Sequence, residues 1–227
     1  MQSMISDSSK NTTVHPVIVG SPDITGTFAI KQNYQLTTSN IDKSVASSLE
    51  GWLKQQEDLQ SSKENETISH LLESKGWKSI LLSDTNASEE HVKAIKNPFI
   101  AHYNTHGYYI QNTSITDSNY TTLKSLFDNN PYLQSGILLS GTNQSLKKIK
   151  KGEKILGEDG IFTAEEIIGL DYDSTYLVVL SACESGVGTY VEGSGVYSIA
   201  RAFSTAGAKY VLSTLWKVDQ DATISYM

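Results

Sequence analysis

A doubly wound α/β domain, with a mainly parallel sheet and helices on both faces, is predicted by three features of the sequence. Short apolar runs of strand length recur along the chain, helical stripes lie between several of them, and Gly, Asn and Ser punctuate the changeovers. Strands that alternate with helices need crossover connections, and crossovers build parallel sheets.

The elements follow in chain order. Residues 1–13 carry no apolar core and read as a flexible segment ahead of a domain spanning 14–227. Val17–Val19 is the first expected strand. Ile41, Val45, Leu49, Trp52 and Leu53 then recur at helical spacing, and Ile68, Leu71 and Leu72 mark a second helix. Strands are expected next at Ser79–Leu82 and Phe99–Tyr103. From about 108 to 160 the alternation fades into a stretch rich in Asn, Ser, Thr and Gly, read as a loop and hairpin insertion with a strand at Ile137–Leu139. Within it KKIKKGEK, 147–154, reads as a solvated hairpin or loop. TAEE announces a short helix, because Thr163 can cap it while Glu166 reaches back to the cap. Tyr176–Leu180 is a further strand, Val196, Ile199, Ala200 and Phe203 form a helical stripe, and Lys209–Ser213 is the last strand. The closing DATISYM begins a helical pattern that stops at the last residue, so the domain is expected to be partial, truncated at its C-terminus.

Composition narrows the function. A chain of 227 residues, 38% of them hydrophobic, can bury a sizeable core without staples. The formal charge of −7 argues against a nucleic-acid partner. No window reaches the apolar length of a membrane span, and MQSMISDSSKNTT lacks the apolar core of a signal peptide, so no membrane partner is expected. The single cysteine excludes an intrachain disulfide and fits a cytoplasmic location without requiring it.

Parallel sheets gather chemistry at the edge where their strands end. FIAHYNTHG ends an apolar run just before His106 and Gly107, and TYLVVLSACESG ends one just before Cys183. If the two strands are parallel and close, imidazole and thiol leave the sheet at one edge. A thiol of ordinary pKa, about 8.5, is mostly protonated at neutral pH, and a neighbouring imidazole raises the attacking thiolate fraction. The same imidazole can return the proton to a leaving amine. The backbone amides of Gly107 and Cys183 can face the oxyanion. On spacing alone Cys183 can equally be core filler, and His106 a satisfied polar residue. His102 and His106 would be about 13 Å apart on a strand, too far to share a metal.

FIAHYNTHGYYI together with the long stretch from EDGIFTAEEIIG through LSACESG to LWKVDQDAT strongly resembles the CHAT domain, a caspase-like family related to separase, caspases and gingipains and often found with tetratricopeptide repeats. The likeness is dense over 158–223, weaker over 17–110, and retains NPYLQSGILLSG between. It implies a caspase-hemoglobinase-like three-layer sandwich and a cofactor-free, metal-free cysteine endopeptidase making limited cuts in a protein or peptide substrate. His106 becomes general base and acid, Cys183 nucleophile, and Gly107 and Cys183 the oxyanion hole. A repeat or regulatory region elsewhere in the parent protein would choose the substrate.

In basic-selective relatives an acidic residue after the LW-containing strand meets an arginine or lysine before the scissile bond. Asp219 and Asp221 both offer one, and both are equally readable as helix caps. The resemblance makes GVGTYVEGSG, 186–195, a mobile active-site loop in which Glu192 shapes the substrate groove; without the lysine and spacing of a phosphate loop it is no nucleotide site. Glu184 either orients its loop or repels acidic substrates, and Trp216 either anchors packing below the pocket or forms an aromatic wall for substrate. The competing functional class is a catalytically silent module that binds partners through the same groove.

Overall fold

The computed structural model describes residues 15–25, 36–37, 43–54, 61–110, 130–182, 187–191 and 195–214. The strands are β1 Val17–Pro22, β2 Leu36–Thr37, β3 Ile80–Asp84, β4 Ile100–Asn104, β5 Gly107–Tyr109, β6 Ser135–Leu138, β7 Ile155–Leu156, β8 Ile161–Thr163, β9 Leu177–Leu180, β10 Thr189–Val191, β11 Gly195–Tyr197 and β12 Tyr210–Ser213. The helices are α1 Lys43–Leu53, α2 Ser61–Ser74, α3 Glu89–Ala94, α4 Thr142–Lys151, α5 Ala164–Ile168 and α6 Ile199–Thr205.

The central sheet has the order β12-β9-β4-β1-β3, and every neighbouring pair in it is parallel. Alternation along each strand decides what each face meets. Val17, Val19, Ala101, Tyr103, Val178 and Leu180 share one face and join Val92 of α3, Ile167 of α5, and Ile199, Ala202 and Phe203 of α6 in one buried cluster. On the other face α2 packs over β1, β3 and β4. There buried Glu64 meets buried His102, Oε1 to Nε2 at 2.9 Å. Asn65 accepts from Asn104 and donates to Ser21. A side chain on Gly20 would collide with Asn65, which explains a glycine in mid-strand. Helices thus cover both faces, as the alternation of elements predicts.

A second cluster lies off this sheet. α1 packs on α4, and Val45, Ala46 and Leu49 join Tyr108, Leu138, Leu146, Ile149 and Ile161. The antiparallel sheet β5-β6-β8 supplies its floor.

Ile137 and Leu138 lie on β6 of the antiparallel sheet, in keeping with the hairpin reading of that stretch. Three expectations are corrected here. KKIKKGEK is no hairpin or loop: its first five residues end α4, and Gly152 caps that helix at φ 72° in the left-handed region where glycine is favoured. Thr142, Ser145, Leu146 and Ile149 form the buried face of α4, leaving Lys147, Lys150 and Lys151 exposed. Val196 sits on β11, two residues before the Ser198 cap of α6, and is not part of the helical stripe. Lastly, the glycine-rich stretch carries an antiparallel hairpin, β10–β11. Gly188 is needed there because a Cβ would stand 1.9 Å from the Tyr197 carbonyl oxygen. The Thr163–Glu166 capping box is present as read.

Candidate functional site

β4 and β9 are direct parallel neighbours, with Tyr103 beside Leu180. The loops that leave them therefore start from one edge and one rung, and His106 follows Tyr103 by the same three positions as Cys183 follows Leu180. The condition set by the sequence, two parallel strands lying close, is met by the closest arrangement a sheet allows.

Both loops are clamped where they depart. Buried Thr105 donates its hydroxyl to the Leu138 carbonyl, and the His106 carbonyl accepts from the Leu138 amide at 2.8 Å. His106 itself is half-buried. On β9, the Ser181 amide donates to the Tyr103 carbonyl at 2.8 Å, and Thr214 donates its hydroxyl to the carbonyl of buried Ala182 at 3.0 Å. Ala182 is the last described residue before Cys183. Two clamp residues, Thr105 and Thr214, were not singled out in the sequence. Thr105 stands directly before the histidine, which was the one signal for it.

Gly107 opens β5, the edge strand of the antiparallel sheet. Hydrogen bonds from the Leu138 amide to the His106 carbonyl and from the Ile110 amide to the Gln134 carbonyl place positions 106 and 110 at hydrogen-bonded pairs. Antiparallel ladders alternate, so Gly107, opposite Ile137, is at a non-hydrogen-bonded pair and its N–H is directed away from β6. Cys183, Glu192, Asp219 and Asp221, and with them Glu184 and Trp216, lie outside the described residues.

On the face of the sheet that meets α3, α5 and α6, the support beneath these loops is aromatic. Tyr103 and Tyr172 are fully buried, share a hydrogen bond between hydroxyls at 2.6 Å, and pack on Phe203. Burial holds both phenols above their ordinary pKa, Tyr172 at about 12. They are neutral struts at any working pH.

Farther out, Lys93 of α3 lies within 2.9 Å of Glu89, 2.8 Å of Glu158 and 3.0 Å of Glu166. Those three carboxylates are the group among the described residues close enough to share a metal, and the ammonium stands in the place a cation would take. Burial lowers the Lys93 pKa, but Glu89 and Glu158 outweigh it and hold the ammonium above its ordinary value. Burial, then Asp159 and Glu166, raise the Glu89 carboxyl well above the ordinary carboxylate range. The cluster ties α3 to the cap of α5 and, through the Gly160 amide donating to Glu89 at 2.6 Å, to the turn before β8. No described helix is long and apolar enough to cross a membrane.

The family model of the CHAT domain matches residues 3–227. No curated protein matches the chain.

Proposed function

Given that the chain belongs to the CHAT domain family, with the parallel sheet and flanking helices of a caspase-like sandwich, we propose that it is a cysteine endopeptidase using His106 and Cys183. The observation that carries this reading is the register of β4 and β9, which starts both loops from one rung of one edge. The Cys183 thiolate, its proton held by His106, attacks the scissile carbonyl carbon, and the carbonyl electrons move onto oxygen. The outward amide of Gly107, with that of Cys183, faces this oxyanion. As the C–N bond breaks, the His106 imidazolium gives its proton to the departing amine, leaving a thioester on Cys183. Water, deprotonated by His106, then releases the acid and restores the thiol.

The cuts are limited ones in a protein substrate, after a basic residue that pairs with Asp219 or Asp221. A tetratricopeptide-repeat or other regulatory region in the parent protein supplies the substrate. The test is intact-mass analysis after exposure to an arginine-containing acyloxymethyl ketone, beside Cys183→Ala. One adduct on the unmutated protein alone supports nucleophile and pocket together. Cleavage of a substrate by Cys183→Ala would refute the assignment. A peptide library cut equally well after acidic or apolar residues removes the basic pocket.

A further inference from the structure

The edge where the strands begin carries a construction that the proposed chemistry does not use. Trp77 stacks on Phe99 at 5.2 Å between centroids, Phe99 stacks on Tyr176 at 5.4 Å, and Tyr176 meets Tyr210 edge-on at 5.3 Å. Trp77 precedes β3, Phe99 precedes β4, Tyr176 precedes β9 and Tyr210 opens β12, so the ladder spans the sheet at its amino edge. The first three rings are half-buried, and Tyr210 is 51% exposed. Around them stand exposed Lys75, Lys78, Lys96 and Lys209. The Lys209 ammonium lies over Tyr176 and Tyr210, 5.3 and 5.4 Å from their centroids. Asp171 and Asp173 are the acidic residues of the same connections, and Asp171 is engaged by Asn97.

The charge and ring geometry decide what such a surface fits. Phe99 gives its faces to Trp77 and Tyr176, and Tyr176 shares its own with Phe99 and Lys209, so the ladder offers ring edges and few free faces. Nucleobases bind by stacking on free faces, and this surface disfavours them. Ring edges carry the positive end of the aromatic quadrupole, and with four lysines they make an electropositive, partly apolar strip on a chain of net charge −7. We propose that the amino edge is a docking strip for an acidic, extended segment of a partner protein. It lies at the opposite end of the strands from His106 and stands whether or not the chain cuts peptides.

The test uses the full chain as Cys183→Ala, so that no probe is cleaved, and follows a fluorescein-labelled oligo-glutamate peptide by anisotropy at low and physiological salt. Binding that weakens with salt is expected, falling about tenfold or more in Lys78→Glu/Lys96→Glu/Lys209→Glu. Lys147→Glu/Lys151→Glu on α4 removes as much positive charge per site elsewhere and is expected to leave binding unchanged. Thermal midpoints accompany each variant, and Tyr210→Ala, at an exposed ring, gives a second weakening without charge reversal. No binding at low salt, equal loss in the α4 variant, or tighter binding of an oligothymidylate of equal charge would overturn the proposal.

Discussion

The two edges of one sheet differ in what is added to their hydrogen bonds. At the carboxyl edge the backbone leading to His106 and Cys183 is held by hydrogen bonds, from Thr105 and Leu138 on one side and from Ser181 and Thr214 on the other. At the amino edge hydrogen bonds, Asn97 to Asp171 and the Ser174 amide to Asn97 among them, are joined by rings packed on rings. Directional bonds set one position for each backbone atom, whereas stacking tolerates small shifts and yields mainly stability. A parallel sheet brings every strand end to one edge and every strand start to the other, so placement and cohesion can be separated along the same strands.

Substitutions at the two edges should therefore fail differently. Cys183→Ala is expected to cut peptidase turnover on the order of 10⁴-fold or more with the thermal midpoint unchanged. Turnover within tenfold of the parent chain would remove the carboxyl edge from the catalytic reading. Phe99→Ala breaks two stacks at once and should cost about 3 kcal/mol in denaturant unfolding, while correctly folded molecules still label at Cys183. A stability loss below a few tenths of that would show the ladder to be ornamental to cohesion.

Thr105→Val keeps the shape but leaves the buried Leu138 carbonyl without its hydroxyl, and about 1–2 kcal/mol of stability should go with it. Labelling should slow by more than that loss of folded protein explains, because the His106 backbone is held by the same residue of β6. Parallel changes in the two quantities would mean that Thr105 is structural only.

The smallest effect belongs off the sheet, where Lys150 pairs with Glu50 and joins α4 to α1. The hydrogen bond from Lys150 lowers the Glu50 pKa from 4.5. A folded pKa below the unfolded one means that the stabilisation is complete above pH 4.5 and is lost as pH falls through the lower folded value. Glu50→Gln should remove that dependence, at a cost of about 0.3–1 kcal/mol at neutral pH, read from midpoints across an acid titration. An unchanged pH profile would refute it.

Much of the frame was legible in short windows. Val17–Val19 lies on a strand of the central sheet, Ser79–Leu82, Phe99–Tyr103, Tyr176–Leu180 and Lys209–Ser213 each overlap one from their second residue onward, and TAEE forms its capping box, because apolar runs and caps are local signals. α4 is hidden in the sequence because four lysines mask a buried face that is only partly apolar, with Thr142 and Ser145 beside Leu146 and Ile149. Val196 fell on helical spacing, yet its pairing with Tyr190 makes it a hairpin residue. Of the candidate site, His106, Gly107 and Cys183 were legible as residue types behind apolar runs, and Thr105 and Thr214 were not, since each acts through a partner more than thirty positions away.

Local pattern and charge, read from sequence alone, determined the α/β class, the strands that carry the candidate loops, and the family likeness. Strand order was decided only by tertiary structure. Placing β4 against β9 brings Tyr103 beside Leu180, and placing β12 against β9 brings Tyr210 against Tyr176, although no window of the sequence contains either pair. The physical reason is that pairing between distant strands is settled by burying both faces of the whole sheet at once, and that balance is a property of the folded molecule.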